Sequence, residues 1–206
     1  MLKIKNIISG QFETNCWLVY DDVTKAAIVI DPGEDGNNVI KTIEKLALKP
    51  ELLINTHGHF DHILSDDVIR KKYNIPLAIH KDDLSFLTDV NKNASYLIGA
   101  PTTINAPEII FEKEQIYKTS FCNYSVIDTP GHTPGSVCIL IDNNLFSGDT
   151  LFAGSIGRTD FPCSDSFAMK KSLQKIKQLD KCMQVYPGHG PSTSMEKELS
   201  SNFYLR

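Results

Sequence analysis

Along the chain, short apolar runs alternate with polar breaks, and the period of each run predicts its element. Residues 2–8, 15–20 and 25–31 are rich in Ile, Val, Leu and aromatics and are separated by polar turns, which predicts three strands in an antiparallel meander. Asp31-Pro32-Gly33 ends the third strand with turn chemistry. Val39, Ile40, Ile43, Leu46 and Ala47 then recur at helical spacing and predict a helix over 37–48 that packs by one face. The run 51–55 reads as a buried strand, followed by a helix that starts at Asp61 or Ser65 and ends near Tyr73, and by a strand from Pro76 to His80. Lys81–Val90 reads as a short helix, and 91–107 as a long loop with few apolar anchors. Strands are expected near 108–111, 115–120, 124–128, 136–141 and 144–147. Ser164–Leu179 predicts an amphipathic helix whose apolar side is Phe167, Leu173, Ile176 and Leu179; a strand at 183–186 and a short terminal helix follow.

The order is thus strands, helix, strand, helix, and then the same again. Two such halves predict two sheets stacked face to face with helices outside, an α/β chain of α+β character. With 206 residues and no linker, the chain reads as one domain over 1–206. Hydrophobic residues at 41% and charged residues at 22%, without a block of like charge, exclude a disordered chain. No apolar run approaches the ~18 residues of a membrane span, so no membrane partner is expected. Met1-Leu2-Lys3-Ile4-Lys5 alternates like a strand instead of resembling a signal peptide, which makes the cytoplasm the expected compartment. The five cysteines (Cys16, Cys122, Cys138, Cys163 and Cys182) form no Cys-x-x-Cys pair and read as reduced thiols, Cys16 and Cys138 as small buried hydrophobes. A formal charge of −4 offers no general attraction to phosphate backbones, so nucleic acid is not an expected partner. The oligomeric state is left open.

Chemistry enters where the strand at 51–55 stops. Thr56-His57-Gly58-His59-Phe60-Asp61-His62 crowds four metal-capable side chains together at a strand-to-loop edge. Three later turns echo it, each after an apolar strand: Thr129-Pro130-Gly131-His132-Thr133-Pro134-Gly135-Ser136, Phe146-Ser147-Gly148-Asp149-Thr150 and Pro187-Gly188-His189-Gly190-Pro191. A single histidine of this kind is usually a satisfied surface or core residue. Five in one pattern point instead to a metal centre. In an extended loop His57 and His59, two apart, face the same side and can grip one ion, whereas adjacent Asp61 and His62 diverge, so one motif can serve two metals. Asp149 has two oxygens and can bridge cations; imidazoles complete nitrogen-rich shells suited to zinc, with iron or manganese as alternatives. Two divalent ions ~3.5–4 Å apart can share a hydroxide nucleophile.

The quartet THGHFDH, TPGHTPGS, SGDTLF and PGHGP, with the early strand ending IDPG, resembles the metallo-β-lactamase superfamily, and within it the small glyoxalase II-like hydrolases, over nearly the whole chain. The resemblance implies a four-layer αββα sandwich. It implies one metal held by His57, His59 and His132, another by Asp61, His62 and His189, and Asp149 bridging them, with zinc the expected ion. His80 matches no motif position and is expected to be a non-ligand. The segment Ala153-Gly154-Ser155-Ile156-Gly157-Arg158-Thr159-Asp160-Phe161-Pro162 extends the similarity, and Arg158 is expected to pair with Asp160 and brace the site. Tyr96, in the long loop, is a candidate for substrate contact or for a plain surface connection. Glyoxalase II proper continues into a C-terminal helical region that supplies much of its glutathione site, whereas this sequence ends soon after His189.

The activity implied is hydrolysis of a small thioester, such as S-lactoylglutathione or another acyl thiol, by metal-bound hydroxide. No Ser or Cys motif suggests a side-chain nucleophile, and Asp61 is a candidate to steer a proton. The main rival is a mononuclear-iron oxidoreductase resembling the persulfide dioxygenases, which share the His-x-His-x-Asp-His motif and Gly-Arg-Thr-Asp-Phe and hold a single iron by a subset of the same positions. A β-lactamase proper would ordinarily carry an export signal, and an RNA-processing nuclease would want a basic surface. A catalytically silent metal-binding scaffold would leave seven intact ligands idle.

Overall fold

The computed structural model describes all 206 residues. Strands β1 (Leu2–Ser9), β2 (Thr14–Asp21) and β3 (Ala26–Ile30) form the antiparallel meander. Helix α1 (Gly36–Lys45) crosses back to β4 (Lys49–Ile54), parallel to β3. A one-turn helix α2 (Phe60–Ile63) and α3 (Asp66–Tyr73) lead to β5 (Leu77–His80), and β6 (Ile109–Phe111) completes a six-stranded sheet in simple sequence order. The second sheet starts with β7 (Gln115–Lys118), β8 (Asn123–Asp128), β9 (Val137–Ile141) and β10 (Asn144–Gly148), all antiparallel neighbours. After the small hairpin β11 (Leu151–Phe152) and β12 (Ser155–Ile156), helix α4 (Ser166–Ile176) crosses to β13 (Gln184–Pro187), parallel to β10. Strand β14 (Thr193–Ser194), α5 (Met195–Ser201) and a 3₁₀ turn over Phe203–Leu205 finish the chain. No helix is long and apolar enough to cross a membrane.

Three apolar layers hold these elements, and strand alternation sorts residues among them. Cys16, Leu18, Ala27, Val29, Leu53 and Leu77 face α1 and α3, where Val39, Ile43 and Ile69 meet them. Their neighbours Trp17, Val19, Ile28, Ile30, Leu52, Ile54 and Ala78 face the second sheet and pack on Tyr124, Val126, Val137, Ile139 and Phe146. The outer face of that sheet, through Cys138, Leu145 and Val185, packs on Met169, Leu173 and Ile176 of α4. Strands buried on both faces explain why the sequence shows continuous apolar runs where one-sided strands would alternate. The result is the four-layer αββα sandwich.

Several local expectations change. Phe167 is 65% exposed and does not join the apolar side of α4. Asp165 caps the helix, accepting from the amides of Phe167 and Ala168, so Phe167 falls in the first turn and the buried stripe is Met169, Ser172, Leu173 and Ile176. The helix expected over Lys81–Val90 is a 3₁₀ stretch over Lys81–Leu87, and the long loop contains a second one over Ser95–Ile98. Both starts foreseen for the helix after the histidine loop are used, by α2 and by α3.

Candidate metal centre

Every candidate ligand stands where a strand stops, at one end of the sandwich. The His57–His62 run follows β4 of the first sheet, while His132, Asp149 and His189 follow β8, β10 and β13 of the second. Potential ligand atoms gather in three overlapping groups, each within 4.8 Å: His57, His59 and His132; Asp61, His62 and His189; and His57, His62 and Asp149. Asp61 and His62 do not diverge as an extended loop would require. They lie on the single turn of α2, and His62 Nε2 is 3.7 Å from Asp61 Oδ2. Asp149 faces both triplets, with Oδ1 3.5 Å from His62 Nε2 and Oδ2 3.4 Å from His132 Nε2. Gly188 permits this approach, because a Cβ there would fall on Asp149 Oδ1 and crowd the His62 ring.

A supporting shell aims each imidazole inward. Thr56 Oγ1 donates to Asp31 Oδ2 at 2.7 Å, so it is the acceptor for His57 Nδ1–H at 3.2 Å, and His57 Nε2 is left buried without a partner. His132 Nδ1–H donates to the Arg158 carbonyl at 2.8 Å, leaving Nε2 only 2.8 Å from His59 Nδ1. His189 Nδ1–H donates to the Phe12 carbonyl at 3.0 Å, and its Nε2 sits 3.3 Å from His62 Nε2 and 3.2 Å from Asp61 Oδ2. His62 Nδ1 lies 3.1 Å from Asp31 Oδ2, near enough for charge pairing, though not aligned for a good hydrogen bond. Such outer partners set the tautomer and the direction of the free lone pair. Buried nitrogens turned toward one another, together with the unpartnered Asp149 Oδ1, are costly unless a cation sits among them. The donor set therefore fits divalent metal.

Electrostatics divides the two triplets. Burial, reinforced by neighbouring imidazoles, holds His57 and His59 well below the usual histidine range, in the neutral form that donates a lone pair. Burial pulls His62 the same way but is overcome by Asp61, Asp31 and Asp149, which push it up to about 10. His189 is likewise raised despite burial, by its bond to Asp61 and by Asp149. Asp61, though burial opposes it, is held well below the usual carboxylate range by His62 and His189.

Two buried acids missed by the motif reading prove central. Asp83 accepts from Gly58 N at 2.8 Å, Gly135 N at 2.7 Å and Thr133 Oγ1 at 2.7 Å, tying the loop that carries His57 and His59 to the one that carries His132. Burial pushes its carboxyl up to about 6 against those three hydrogen bonds. Asp31, at a left-handed φ of 49°, also accepts from Thr56 N at 2.8 Å. His80 is buried but belongs to none of the groups; its Nδ1 accepts from Asp82 N and its Nε2 lies 3.7 Å from Asp128 Oδ1.

Over the cluster lies a cavity of about 470 Å³ walled by Phe12, Phe60, Leu97, Phe152, Ile156 and Phe161. Tyr96 is not among its lining residues; Ala94, buried just before the 3₁₀ turn over Ser95–Ile98, and the largely exposed Leu97 are. Arg158 and Asp160 form a two-pronged pair at 2.7 and 2.8 Å. Both are exposed, so the pair adds little stability, but it holds the guanidinium 4.1 Å over the Phe161 ring at the cavity rim.

Residues 9–189 match the family described as Metallo-beta-lactamase superfamily. The chain belongs to the metallo-β-lactamase superfamily. Among its relatives, this member is 34% identical to hydroxyacylglutathione hydrolase GloC of Haemophilus influenzae, over 99% of this chain and 98% of the relative. The solved structure of the BLEG-1 B3 metallo-beta-lactamase superposes with a TM-score of 0.95 at 36% identity, covering 98% of this chain and 99% of the other. TTHA1623, solved in a di-iron-bound form, superposes with a TM-score of 0.84 at 29% identity, covering 98% and 100%. The superfamily and these likenesses make the chain a metal-dependent hydrolase by family, with a His/Asp cluster suited to metal ions.

Proposed function

We propose that the protein hydrolyses a small thioester at a pair of divalent cations. His57, His59 and His132 would hold one, Asp61, His62 and His189 the other, with Asp149 between them. The observation that carries this reading is the convergence of both triplets beneath a cavity lined by His59, His132, Asp61, His189 and Asp149, which offers no activated side-chain nucleophile. No cysteine lines it, and its only hydroxyl, on Ser155, has no base beside it. The attacking group is therefore water. A bound divalent pair supplies Lewis acidity, bringing the pKa of water toward ~7 and polarising a carbonyl.

The chain's own groups do the rest. Asp61, ionised and within reach of Thr14 Oγ1 at 3.3 Å, sits beside His189, where its negative charge can steer a proton. Phe12, Phe60, Phe152 and Phe161 exclude bulk water and give an apolar wall for the acyl or thiol chain. Asp83 and the Arg158 carbonyl keep the two loops and the His132 ring in register. The GloC relative, similar over its full length, supports a thioester substrate, and zinc is the ion we favour.

Protein loaded separately with zinc, iron and manganese would be assayed for thiol release from S-lactoylglutathione and a panel of acyl thiols. Thiol release that disappears on chelation is expected; full activity without metal would sink the proposal. A second reading, oxidation of a persulfide at a single iron, draws on the His-x-His-x-Asp-His and Gly-Arg-Thr-Asp-Phe segments; the likeness to TTHA1623, solved in a di-iron-bound form, supports iron only as an ion. Oxygen uptake with glutathione persulfide in place of thioester cleavage would establish it. Cleavage of a chromogenic β-lactam at a rate exceeding any thioester would move the reading toward the BLEG-1 neighbour.

A further inference from the structure

The larger cavity of the molecule is not the one over the His/Asp cluster. It measures about 580 Å³ and lies between α4 and the terminal 3₁₀ turn. Met169 and Leu173 contribute apolar lining, Lys170 and Lys171 come from α4, and Phe203, Tyr204 and Arg206 come from the chain's last residues. Every charged side chain lining it is a cation, on a chain whose formal charge is −4. The lysines and arginines that form ion pairs are Lys25, Arg70, Lys72, Arg158 and Lys175, so these three have no acidic partner. Lys171 Nζ rests 4.5 Å from the centre of the Phe167 ring, which lines a neighbouring groove, so Lys170 and Arg206 are the cations left to face this cavity; Phe203 and Tyr204 meet edge to face at 5.7 Å.

A lysine-rich helix face is ordinarily just solvated, and single exposed aromatics are common. Here both surround one concavity. Phe203 is 76% exposed and Tyr204 49%, which leaves ring surface open for stacking. The cavity volume falls in the ~300–1,000 Å³ range of small-molecule sites. The first free amides of α4 are taken by Asp165, so an anion in this cavity would be met by side chains and not by the helix end.

We propose that this cavity binds a nucleotide, its base against Phe203 and Tyr204 and its phosphate oxygens on Lys170 and Arg206. Aromatic faces accept any base, and cations without acidic partners accept phosphate. Ile156 lines both this cavity and the one over the cluster, so the two sites abut. Under the thioesterase reading, a thiol carrier ending in a nucleotide would span them; the binding itself does not depend on that reading.

The test is calorimetric titration of ADP, adenosine and inorganic phosphate into the metal-loaded protein and into Phe203→Ala and Lys170→Glu. Both positions lie at the surface, and an unchanged far-UV spectrum and Tm verify the fold of each variant. ADP should bind more tightly than adenosine or phosphate alone, and each substitution should weaken it about tenfold. Absence of ADP binding at millimolar concentration overturns the proposal. So does ADP binding that is identical in wild type and both variants, which would place the phosphates on the metal cluster. Phosphate binding equal to that of ADP and indifferent to Phe203→Ala would reduce the site to a bare anion patch and overturn it as well.

Discussion

The two triplets at the end of the sandwich are built from the same residue types but in different environments. His57, His59 and His132 are all nearly inaccessible and offer three nitrogens, two of them kept neutral by burial. Asp61, His62 and His189 offer a carboxylate and two imidazoles under the influence of three acids, and the His189 side chain retains 27% exposure. Both triplets reach the cavity, the first through His59 and His132 and the second through Asp61 and His189; the first is all nitrogen, and the second carries its own negative charge. The contrast teaches that one motif can contribute donors to two electrostatically different triplets, with Asp149 facing both.

The most severe way to erase the contrast is to remove what the two share. Asp149→Ala should abolish thiol release, by about 10³-fold or more, and lower bound metal at both triplets, as read by steady-state assay and elemental analysis. His132→Ala and His189→Ala should separate them. We expect the former to lose both ions and the latter to retain about one per chain with activity reduced less. Loss of both ions in both variants would show that the triplets do not fill as distinct sites.

A gentler probe acts at a distance from the ligands. Asp83→Asn removes acceptor capacity shared among Gly58, Thr133 and Gly135, and should weaken metal binding about 10–100-fold, first at the three-nitrogen triplet. Competition with a chromophoric chelator would read this; loss at the His189 triplet alone would contradict it. A probe of comparable size concerns stability. Because the folded protein holds the Asp83 carboxyl at about 6 against an ordinary 3.8, it binds the more protons between those values. Stability of the metal-free protein therefore falls as pH rises through that window and stays lower above it, by on the order of 2–3 kcal/mol. Urea melts of wild type and Asp83→Asn across pH 4–7 should differ by that slope.

Much of this was legible in the chain. Strands buried on both faces announce themselves as unbroken apolar runs, and a ligand motif at the end of such a run fixes where its side chains must gather. The two-residue strands β11, β12 and β14 carry too few positions for any period to show. Phe167 misled because its apolarity was counted without its phase: at 3.6 residues per turn it stands on the side of α4 opposite Ile176, nine residues on. Asp83 was invisible for a different reason. A buried acid that accepts three hydrogen bonds and a surface acid are the same letter, and only the tertiary meeting of Gly58, Thr133 and Gly135 tells them apart. Tyr96 and Leu97 differ by one position on a turn that the loop composition gave no reason to expect.

Each triplet draws donors from both sheets, joining residues far apart in the chain: His59 to His132 across 73 positions and His62 to His189 across 127. An ion in either place would fasten the two halves of the sandwich as a cross-link does, restricting the unfolded chain more than any local contact. None of the five cysteines is paired. In a chain without disulfides, the same atoms that serve the chemistry would also serve as its staples, and withdrawal of metal should free the sheets to slide before either one melts.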